Sequence, residues 1–330
     1  MKKQYLILLL LFFGKTLFAQ QFAPQVGFQG TTAIYKDSSD FVAWATDATI
    51  TRGYKNILSQ ADGYASFGQA TNAIGQANNT YVSLGDSGEA ILSFEHPIIN
   101  GDSYDFAIFE NGFLAEVNAP LAFLELAFVA VSTDGVQYIQ FPAISHTSTS
   151  NQLNAYDYID ATYITNFAGK YIVDYGTPFD LEDLATLTAG TTVNLSEINY
   201  VKITDVTGVI SSSFANQDSE GNTINDPFPT AFSSGGFDLD ALGVIHQDST
   251  TTVLTNDDKI SISLVPNPTN NYFKINSEIP INSIQIYSSN AIFIKECNTS
   301  LCDISELSNG MYIAIIKTDS KTYYQKIIKK

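Results

Sequence analysis

Short apolar runs separated by turn residues set the pattern of the first 246 residues. β-Branched and aromatic residues in runs of this length predict strands, and the Gly, Asn, Asp and Ser between them predict tight turns. Only 180–187 has helical spacing, with Leu181, Leu184 and Leu187 on one face. We expect strands at 81–84, 89–94, 106–110, 124–132, 138–141, 200–205 and 242–246. The pattern predicts an all-β chain and favours a two-sheet sandwich whose loops carry any binding site.

Two turn segments have specific interpretations. Thr133-Asp134-Gly135, between two apolar runs, is the sharpest hairpin signal. Gly85-Asp86-Ser87-Gly88 looks like the nucleophile segment of trypsin-like proteases, in which a catalytic His and Asp precede the Ser. No His precedes it here, since the first one is His96. We therefore interpret 85–88 as a hairpin turn and not as part of a catalytic site.

The first 19 residues have the pattern of a signal peptide. Lys2 and Lys3 precede an apolar run over 5–13, and Ala19 stands where signal peptidase would cut ahead of Gln20. This run is much shorter than the roughly 20 residues that a membrane-spanning helix needs, and no later stretch reaches that length. We expect an exported protein with no transmembrane segment in the mature chain. A signal anchor is the alternative.

The remaining length predicts two domains, because about 310 residues exceed the size at which one hydrophobic core stops growing. Residues 247–258 are polar and Thr-rich and are predicted to link a domain at 20–246 to a second one at 259–330. Residues 20–257 hold five basic and 28 acidic residues, whereas 258–330 hold eight basic and six acidic. The acidic part disfavours binding to nucleic acid or anionic lipid and fits divalent cations; solubility alone is the alternative reason for its charge.

An acid-rich loop precedes the last predicted strand of the first domain. Closely spaced carboxylate and amide oxygens, with a Gly for the sharp turn, are what calcium needs for its roughly six to eight ligands. The candidate calcium ligands are Asp218, Glu220, Asn222, Asp226, Asp238 and Asp240. The loop lacks the spacing and flanking helices of an EF-hand. Asx-turns in an ordinary polar loop are the alternative.

Residues typical of catalytic sites show no convincing pattern. The histidines lie 50 or more residues apart without short metal-ligand spacing, so each is expected in a loop or at a strand end: His96, His146 and His246. Glu110, Glu116 and Glu125 lie near aromatic residues. Two of them could supply the carboxylate pair of a glycosidase, which keeps an extracellular polysaccharide hydrolase as an alternative.

The cysteines lie in the second domain. Cys297 and Cys302 have four residues between them and are the only two in the chain. In an oxidising exterior they are predicted to close a small disulfide loop, and with no His or third Cys near them a zinc site is disfavoured.

Residues 260–330 carry an ordered set of motifs. They are Pro-Asn-Pro at 266–268, Ile-Tyr at 286–287, Asp-Ile-Ser-Glu-Leu at 303–307, Gly-Met-Tyr at 310–312 and a Lys-rich end. In this order they resemble the type A C-terminal sorting domain of the type IX secretion system. The residues that match the motif are Pro266, Asn267, Pro268, Asp303, Leu307, Gly310, Tyr312, Lys329 and Lys330. The cysteine pair is not part of the pattern.

The resemblance implies a small immunoglobulin-like sandwich recognised by the outer-membrane translocon and its sorting machinery. It also implies a bacterium of the Bacteroidetes type and a protein that is released or attached to the cell surface. An ordinary adhesive β-sandwich is the alternative.

A second resemblance covers much of residues 78–246. The segments 101–113, 131–135, 168–171, 176–181 and 235–241 look like a family of bacterial cell-surface proteins with little assigned function. Segments 131–135 and 200–203 are also similar to discoidin-like binding domains, which implies a jelly-roll-like sandwich. Since loops decide the ligand in such folds, the resemblance names none.

The first domain is therefore expected to be a non-catalytic binding module, with calcium organising its acidic loops. Aromatic residues near Trp44, Tyr64 or Phe113 are expected to be exposed and to stack on a sugar or another ring-bearing nutrient. A hydrolase and a structural or adhesion component of the cell surface are the alternatives.

Overall fold

The computed structural model describes residues 22–248, 262–277, 280–288, 292–297, 301–318 and 322–330. The chain divides into two compact units, Met1–Thr251 and Thr252–Lys330, called here the N-terminal and C-terminal units. The predicted signal peptide at 1–19 and most of the predicted linker at 247–258 lie outside the described residues.

Strands dominate the N-terminal unit. They are β1 (Ile34–Tyr35), β2 (Ala43–Trp44), β3 (Asp47–Thr51), β4 (Val82–Ser83), β5 (Glu89–Ile98), β6 (Phe106–Glu110), β7 (Phe113–Leu114), β8 (Leu121–Phe123), β9 (Ala127–Ser132), β10 (Ile139–Gln140), β11 (Ile144–Ser145), β12 (Ile159–Asp160), β13 (Ile164–Thr165), β14 (Tyr175–Phe179), β15 (Ile198–Asp205) and β16 (Asp238–Val244). Short 3₁₀ helices lie at Gln60–Asp62, Ala70–Ala73, Ala161–Tyr163 and Leu181–Leu184.

Two antiparallel sheets form the body of this unit. The six-stranded sheet has the order β1-β14-β6-β16-β2, with β4 also paired to β16, and the five-stranded sheet has the order β10-β9-β15-β5-β3. Leu92 and Val201 of the second sheet join Ile108 and Leu242 of the first in one buried cluster. The unit is therefore all-β and has the layers of a β-sandwich, as the sequence predicts.

Strand β6 shows how the sequence places the core. Its side chains alternate between the faces of the sheet. Phe106 and Ile108 enter the cluster between the sheets, whereas Ala107 and Phe109 pack on the opposite face with Trp44. Burying each such large apolar side chain contributes roughly 1.5–3 kcal/mol. A strand buried on both faces belongs inside its sheet, and β6 lies between β14 and β16.

Segment 85–88 is not a hairpin turn, so that prediction is wrong. β4 pairs with β16 in one sheet, and β5 pairs with β3 and β15 in the other. The segment therefore carries the chain from one sheet to the other. Ser87 has a φ of 60°, and its backbone N–H donates to the Asp205 carboxylate over 3.0 Å.

The predicted helix at 180–187 is shorter than its spacing suggests. A 3₁₀ helix spans Leu181–Leu184, and its first turn is capped by Asp180, whose carboxylate accepts from the backbone N–H of Glu182 over 2.9 Å. Leu181 and Leu184 are buried, but Leu187 is 46% exposed. One turn is stable here because two leucines pack into the core, not because of helical propensity.

The C-terminal unit is a smaller sandwich. Its strands are β17 (Ser263–Val265), β18 (Tyr272–Asn276), β19 (Ser283–Ser288), β20 (Phe293–Cys297), β21 (Leu301–Asp303), β22 (Gly310–Lys317) and β23 (Thr322–Lys329). They form sheets in the orders β17-β18-β21 and β20-β19-β22-β23, around a core that includes Phe273, Ile286 and Ile316. A disulfide joins Cys297 of β20 to Cys302 of β21 and so links the two sheets.

Candidate functional site

A cleft lies where β6 ends and β16 begins. Glu110 is the last residue of β6, Asp238 is the first of β16, and Leu239 pairs with Glu110. The pairing register then shifts at Asp240, a bulge of the kind that redirects side chains at a sheet end. Glu125 reaches the same place from the segment between β8 and β9. These three carboxyl groups line a cavity of about 320 Å³, which we call the acidic cleft.

The three carboxyl groups are buried. Burial and then the charge of Asp238 raise the pKa of Glu110 well above its usual value. Burial and then the charges of Asp238 and Glu110 do the same to the pKa of Glu125. Burial raises the pKa of Asp238 to about 7, although a hydrogen bond from the Ser83 hydroxyl and the charge of Arg52 oppose the rise. At neutral pH the acidic cleft therefore holds carboxyl protons.

One acceptor atom of the acidic cleft is unused. Glu110 Oε2 is buried and has no hydrogen-bond partner of normal geometry among the residues that the structure describes, although the backbone N–H groups of Asn111 and Gly112 are near enough to the carboxyl group to oppose the rise in its pKa. Gly112 leaves room beside it, because a Cβ at that position would lie 2.9 Å from this oxygen. A buried carboxylate oxygen without a partner is costly unless a ligand or a proton satisfies it.

Aromatic rings form the walls of the acidic cleft. Phe113 on β7 and Phe123 on β8 are cross-strand partners, and their rings stack with centroids 5.1 Å apart. A second pair of rings in the lining is Tyr156 with Phe232, whose centroids lie 6.1 Å apart. The ring of Tyr81 also lines the cavity and packs on Phe67, which lies outside the lining, at 4.8 Å. The exposed fractions of the side chains of Phe113, Tyr156 and Phe232 are 49%, 70% and 45%. Ring faces thus remain free to contact a bound molecule.

The structure separates the three aromatic residues named from sequence. Phe113 lines the acidic cleft. Tyr64 is 55% exposed and stacks on Tyr54, outside the cleft lining. Trp44 packs against Phe41 and Phe109 on the outer face of the six-stranded sheet and is only partly exposed. Its contact with Phe109 is a packing contact, but Trp44 also lines a different pocket together with His96 and Gln247, so the expectation for Trp44 stays a prediction.

Further buried carboxyl groups influence the acidic cleft. Asp86, Asp205 and Asp226 are at most 3% exposed. Burial raises the pKa of Asp86 to about 7, and burial raises the pKa values of Asp205 and Asp226 well above their usual range. The charge of Asp226 in turn raises the pKa values of Glu110 and Glu125. The protonation state of Asp226 therefore affects the pKa values of the carboxyl groups in the acidic cleft.

The six candidate calcium ligands do not converge. Asp218 accepts hydrogen bonds from the backbone N–H groups of Ser145, Glu220 and Asn222 over 2.8–2.9 Å, which is the Asx-turn arrangement. The carboxylates of the other three aspartates have different partners, with Asp226 bound to Leu126 N, Asp238 to Ser83 Oγ and Asp240 to Asn78 and Asn79 N. Within the described ranges, no group of three or more His, Cys, Asp or Glu side chains could hold a metal ion. Calcium binding stays a prediction.

The remaining candidates are dispersed. His96 lies within β5, and the ring of His146 stacks on Phe22 with centroids 5.4 Å apart. His246 Nδ1 lies 2.9 Å from the buried Asp105 carboxylate. Glu116 is exposed and does not line the acidic cleft. Of the three glutamates considered for a glycosidase, the structure brings only Glu110 and Glu125 together.

The motif residues of the C-terminal unit connect its two ends. Asn267 accepts from the backbone N–H of Ile328 over 2.9 Å and donates to the carbonyl of Lys326 over 2.6 Å. Lys329 Nζ donates to the carbonyl of Asn270. The Pro-Asn-Pro turn therefore holds the last strand.

The other motif residues support turns and the core of the same unit. Asp303 accepts from the backbone N–H of Ser305 over 2.8 Å, and this bond lowers the pKa of Asp303. The hydroxyl of Tyr312 donates to the carbonyl of Ser308 over 2.7 Å, and Leu307 packs on the core. Residues 263–330 match the family model described as the secretion system C-terminal sorting domain. The C-terminal unit is a type IX sorting domain.

The sorting domain defines the route of the whole protein. It is the part of a cargo that the type IX secretion machinery handles, so the protein is exported to the cell surface or the extracellular space. Among the described residues no helix is long and apolar enough to cross a membrane. No curated protein is significantly similar to the chain. The resemblance at 78–246 and the Bacteroidetes origin stay predictions.

Deleting the sorting domain, residues 263–330, is expected to retain the protein inside the cell envelope, because the translocon loses its recognition element. Immunoblots of medium, surface and periplasmic fractions measure this. Tyr324→Ala is the matched control, since this side chain is 68% exposed and lies outside the motif. Continued appearance of the deleted form at the surface would show a second export route.

Sequence reasoning missed most of the walls of the acidic cleft. Tyr81, Phe123, Tyr156 and Phe232 carry no local signal, because aromatic residues are frequent throughout this chain. The pair formed by Phe113 and Phe123 does have a local sequence signal. They flank a short turn in two apolar segments, and their cross-strand pairing could have been inferred from a β7–β8 hairpin.

Proposed function

We propose that this exported protein is a carbohydrate-binding protein whose ligand lies in the acidic cleft. One observation carries the proposal: aromatic rings in pairs surround a buried floor of carboxyl groups. Ring faces pack on the apolar faces of sugar rings, and carboxyl groups accept hydrogen bonds from sugar hydroxyls. A cavity of about 320 Å³ is in the range of small-molecule sites and leaves room for one or two sugar rings.

Replacing Phe113 by Ala is expected to weaken glycan binding about ten-fold, or ~1.4 kcal/mol, because half of that ring is available for stacking. Isothermal titration of the full chain with glycans first identified on an array measures the loss. Tyr158→Ala is the control, since its side chain is 40% exposed but does not line the acidic cleft. An equal loss in both variants, or no binding by the wild type, contradicts the proposal.

A polysaccharide hydrolase is the second candidate function. It is favoured by Glu110 and Glu125, two glutamates in one cleft whose pKa values are raised, since a general acid must hold its proton at neutral pH. Turnover on a glycan panel that Glu110→Gln abolishes would establish it. Binding without turnover supports the non-catalytic proposal. Calcium remains a proposed stabilising cofactor.

A further inference from the structure

We propose that the acidic cleft selects a ligand that carries a protonated or quaternary amine, such as an amino sugar. This inference rests on the proposed function and names the charge of its ligand.

The lining of the acidic cleft has acidic side chains and no basic ones. Three carboxyl groups line it, and its lining contains no Lys, Arg or His. None of the ion pairs found among the described residues includes Glu110, Glu125 or Asp238. A ligand that enters this cleft therefore meets three carboxyl groups that have no basic partner in the lining and that carry protons while the cleft is empty.

Arg52 is the cation that acts on this charge, but its guanidinium is occupied. It donates to the carbonyl oxygens of Phe67 over 2.8 Å and Gly68 over 2.7 Å, and to that of Ser83. Arg52 therefore acts on Asp238 through space without forming a salt bridge. One cation that forms no ion pair does not keep three buried carboxyl groups ionised, so in the empty cleft protons take the place of positive charge.

Glu110 supplies the contact that points to a ligand. It is 2% exposed, it lines the cavity, and its Oε2 has no hydrogen-bond partner within the described part of the chain. A neutral hydroxyl can donate to this oxygen but leaves the charge of the cleft unchanged. An ammonium group donates to the oxygen and also supplies the positive charge with which these carboxyl groups can release their protons and become ionised.

The walls favour the same ligand. The negative face of an aromatic ring attracts a cation, and rings in a cage are the arrangement that recognises quaternary and primary ammonium groups. Five aromatic side chains line the acidic cleft. The acidic surface of residues 20–257 also steers cations toward the protein and repels anionic ligands.

The test compares two trisaccharides with the same sugar backbone, a glucosamine trimer with free amines and its fully N-acetylated, uncharged form. Benzyltrimethylammonium serves as a cation without hydroxyl groups. Titration of the full chain is expected to show about ten-fold tighter binding of the glucosamine trimer than of the acetylated trimer. The preference is expected to disappear in Glu125→Gln and to remain in Glu116→Gln, the same substitution at a glutamate outside the cleft.

Each of the other possible results contradicts a specific part of the proposal. Equal affinity for both trimers overturns the cation inference and leaves carbohydrate binding intact. Loss of preference in Glu116→Gln shows general charge attraction and also overturns it. Binding of benzyltrimethylammonium alone retains the cation inference and removes the carbohydrate. No binding of any of the three overturns it together with the proposed function. If Glu125→Gln does not fold, Asp238→Asn replaces it, and thermal unfolding verifies each variant.

Discussion

Raising the pH from about 5 to about 7 lowers the thermal unfolding midpoint of the N-terminal unit by at least ~10 °C. The cause is the set of buried carboxyl groups with raised pKa values, which are Asp86, Glu110, Glu125, Asp205, Asp226 and Asp238. An unfolded Asp or Glu loses its proton near pH ~4. Between that pH and the folded-state pKa the folded protein binds more protons than the unfolded chain, so stability falls as the pH rises.

The magnitude follows from linkage. One carboxyl that stays mostly protonated over about two pH units contributes about 2–3 kcal/mol, and ~1 kcal/mol changes the midpoint of a unit of this size by about 2–4 °C. Asp86 and Asp238, both with pKa values of about 7, already account for a change of about this size. Trp44 is the single tryptophan of the chain, so its fluorescence follows the N-terminal unit in the full-length protein.

Burial also raises the pKa values of Asp105 and Asp240, which act in the same direction, whereas two other groups lie outside this pH window or act above it. Backbone N–H groups of Gln137 and Val136 lower the pKa of Asp134 to about 2, and that stabilisation is lost only in stronger acid. Burial lowers the pKa of Lys170 to about 7, so this lysine makes the protein more stable as the pH rises above that value. A midpoint independent of pH between about 5 and 7 would contradict a buried acidic cluster.

The same assay tests calcium. At fixed pH, a cation that binds only the folded state raises the midpoint in proportion to its affinity, and a chelator removes the rise. No response to calcium or chelator would remove the proposed cofactor. A response retained in Asp218→Ala would place the ion away from the loop named from sequence.

Gly169→Ala is expected to destabilise the N-terminal unit by ~3–5 kcal/mol, whereas Gly190→Ala costs only ~1–2 kcal/mol. Both glycines have a φ of 80°, where an L residue is strained. A Cβ at Gly169 would lie 1.9 Å from the carbonyl oxygen of Glu125, while one at Gly190 meets nothing within 4 Å. The pair thus shares the backbone strain and differs only in the clash. Urea unfolding followed by Trp44 fluorescence measures both.

Because Glu125 is displaced, Gly169→Ala is also expected to lose ligand affinity that Gly190→Ala keeps. Equal destabilisation of the two variants would mean that the segment around Glu125 yields without cost. The acidic cleft would then be flexible around Glu125 and would take its observed shape only when a ligand binds.

The sequence predicts some elements well because their information is local. β6 has its predicted bounds, because four successive apolar residues and Glu110 come directly before a turn. All five residues are buried. β16 begins at Asp238, four residues before the predicted strand, because two aspartates interrupt its apolar pattern. Those aspartates lie in the strand because backbone pairing and a bulge position them.

The acidic cleft could be predicted only in part. Glu110 and Glu125 are close enough in the chain to be considered together from sequence, but Asp238 lies more than 100 residues further on, and only the pairing of β6 with β16 brings it to Glu110. The candidate calcium loop has the opposite problem. Its acidic residues are close in sequence, but Asp218 is used by backbone N–H groups of its own turn. The closeness of these acidic residues in the sequence suggested an ion site. In the structure, local hydrogen bonds already satisfy the oxygens of Asp218.

The disulfide between β20 and β21 makes the C-terminal unit, but not the N-terminal unit, sensitive to the redox conditions of its compartment. Both cysteines of the chain lie in the sorting domain, so thiol chemistry reaches that unit alone. In a reducing cytosol no disulfide cross-links the two sheets of the sorting domain, and this cross-link forms only after the chain enters an oxidising compartment. The form presented to the outer-membrane machinery is therefore covalently distinct from the newly made one, while the acidic cleft is the same before and after that step.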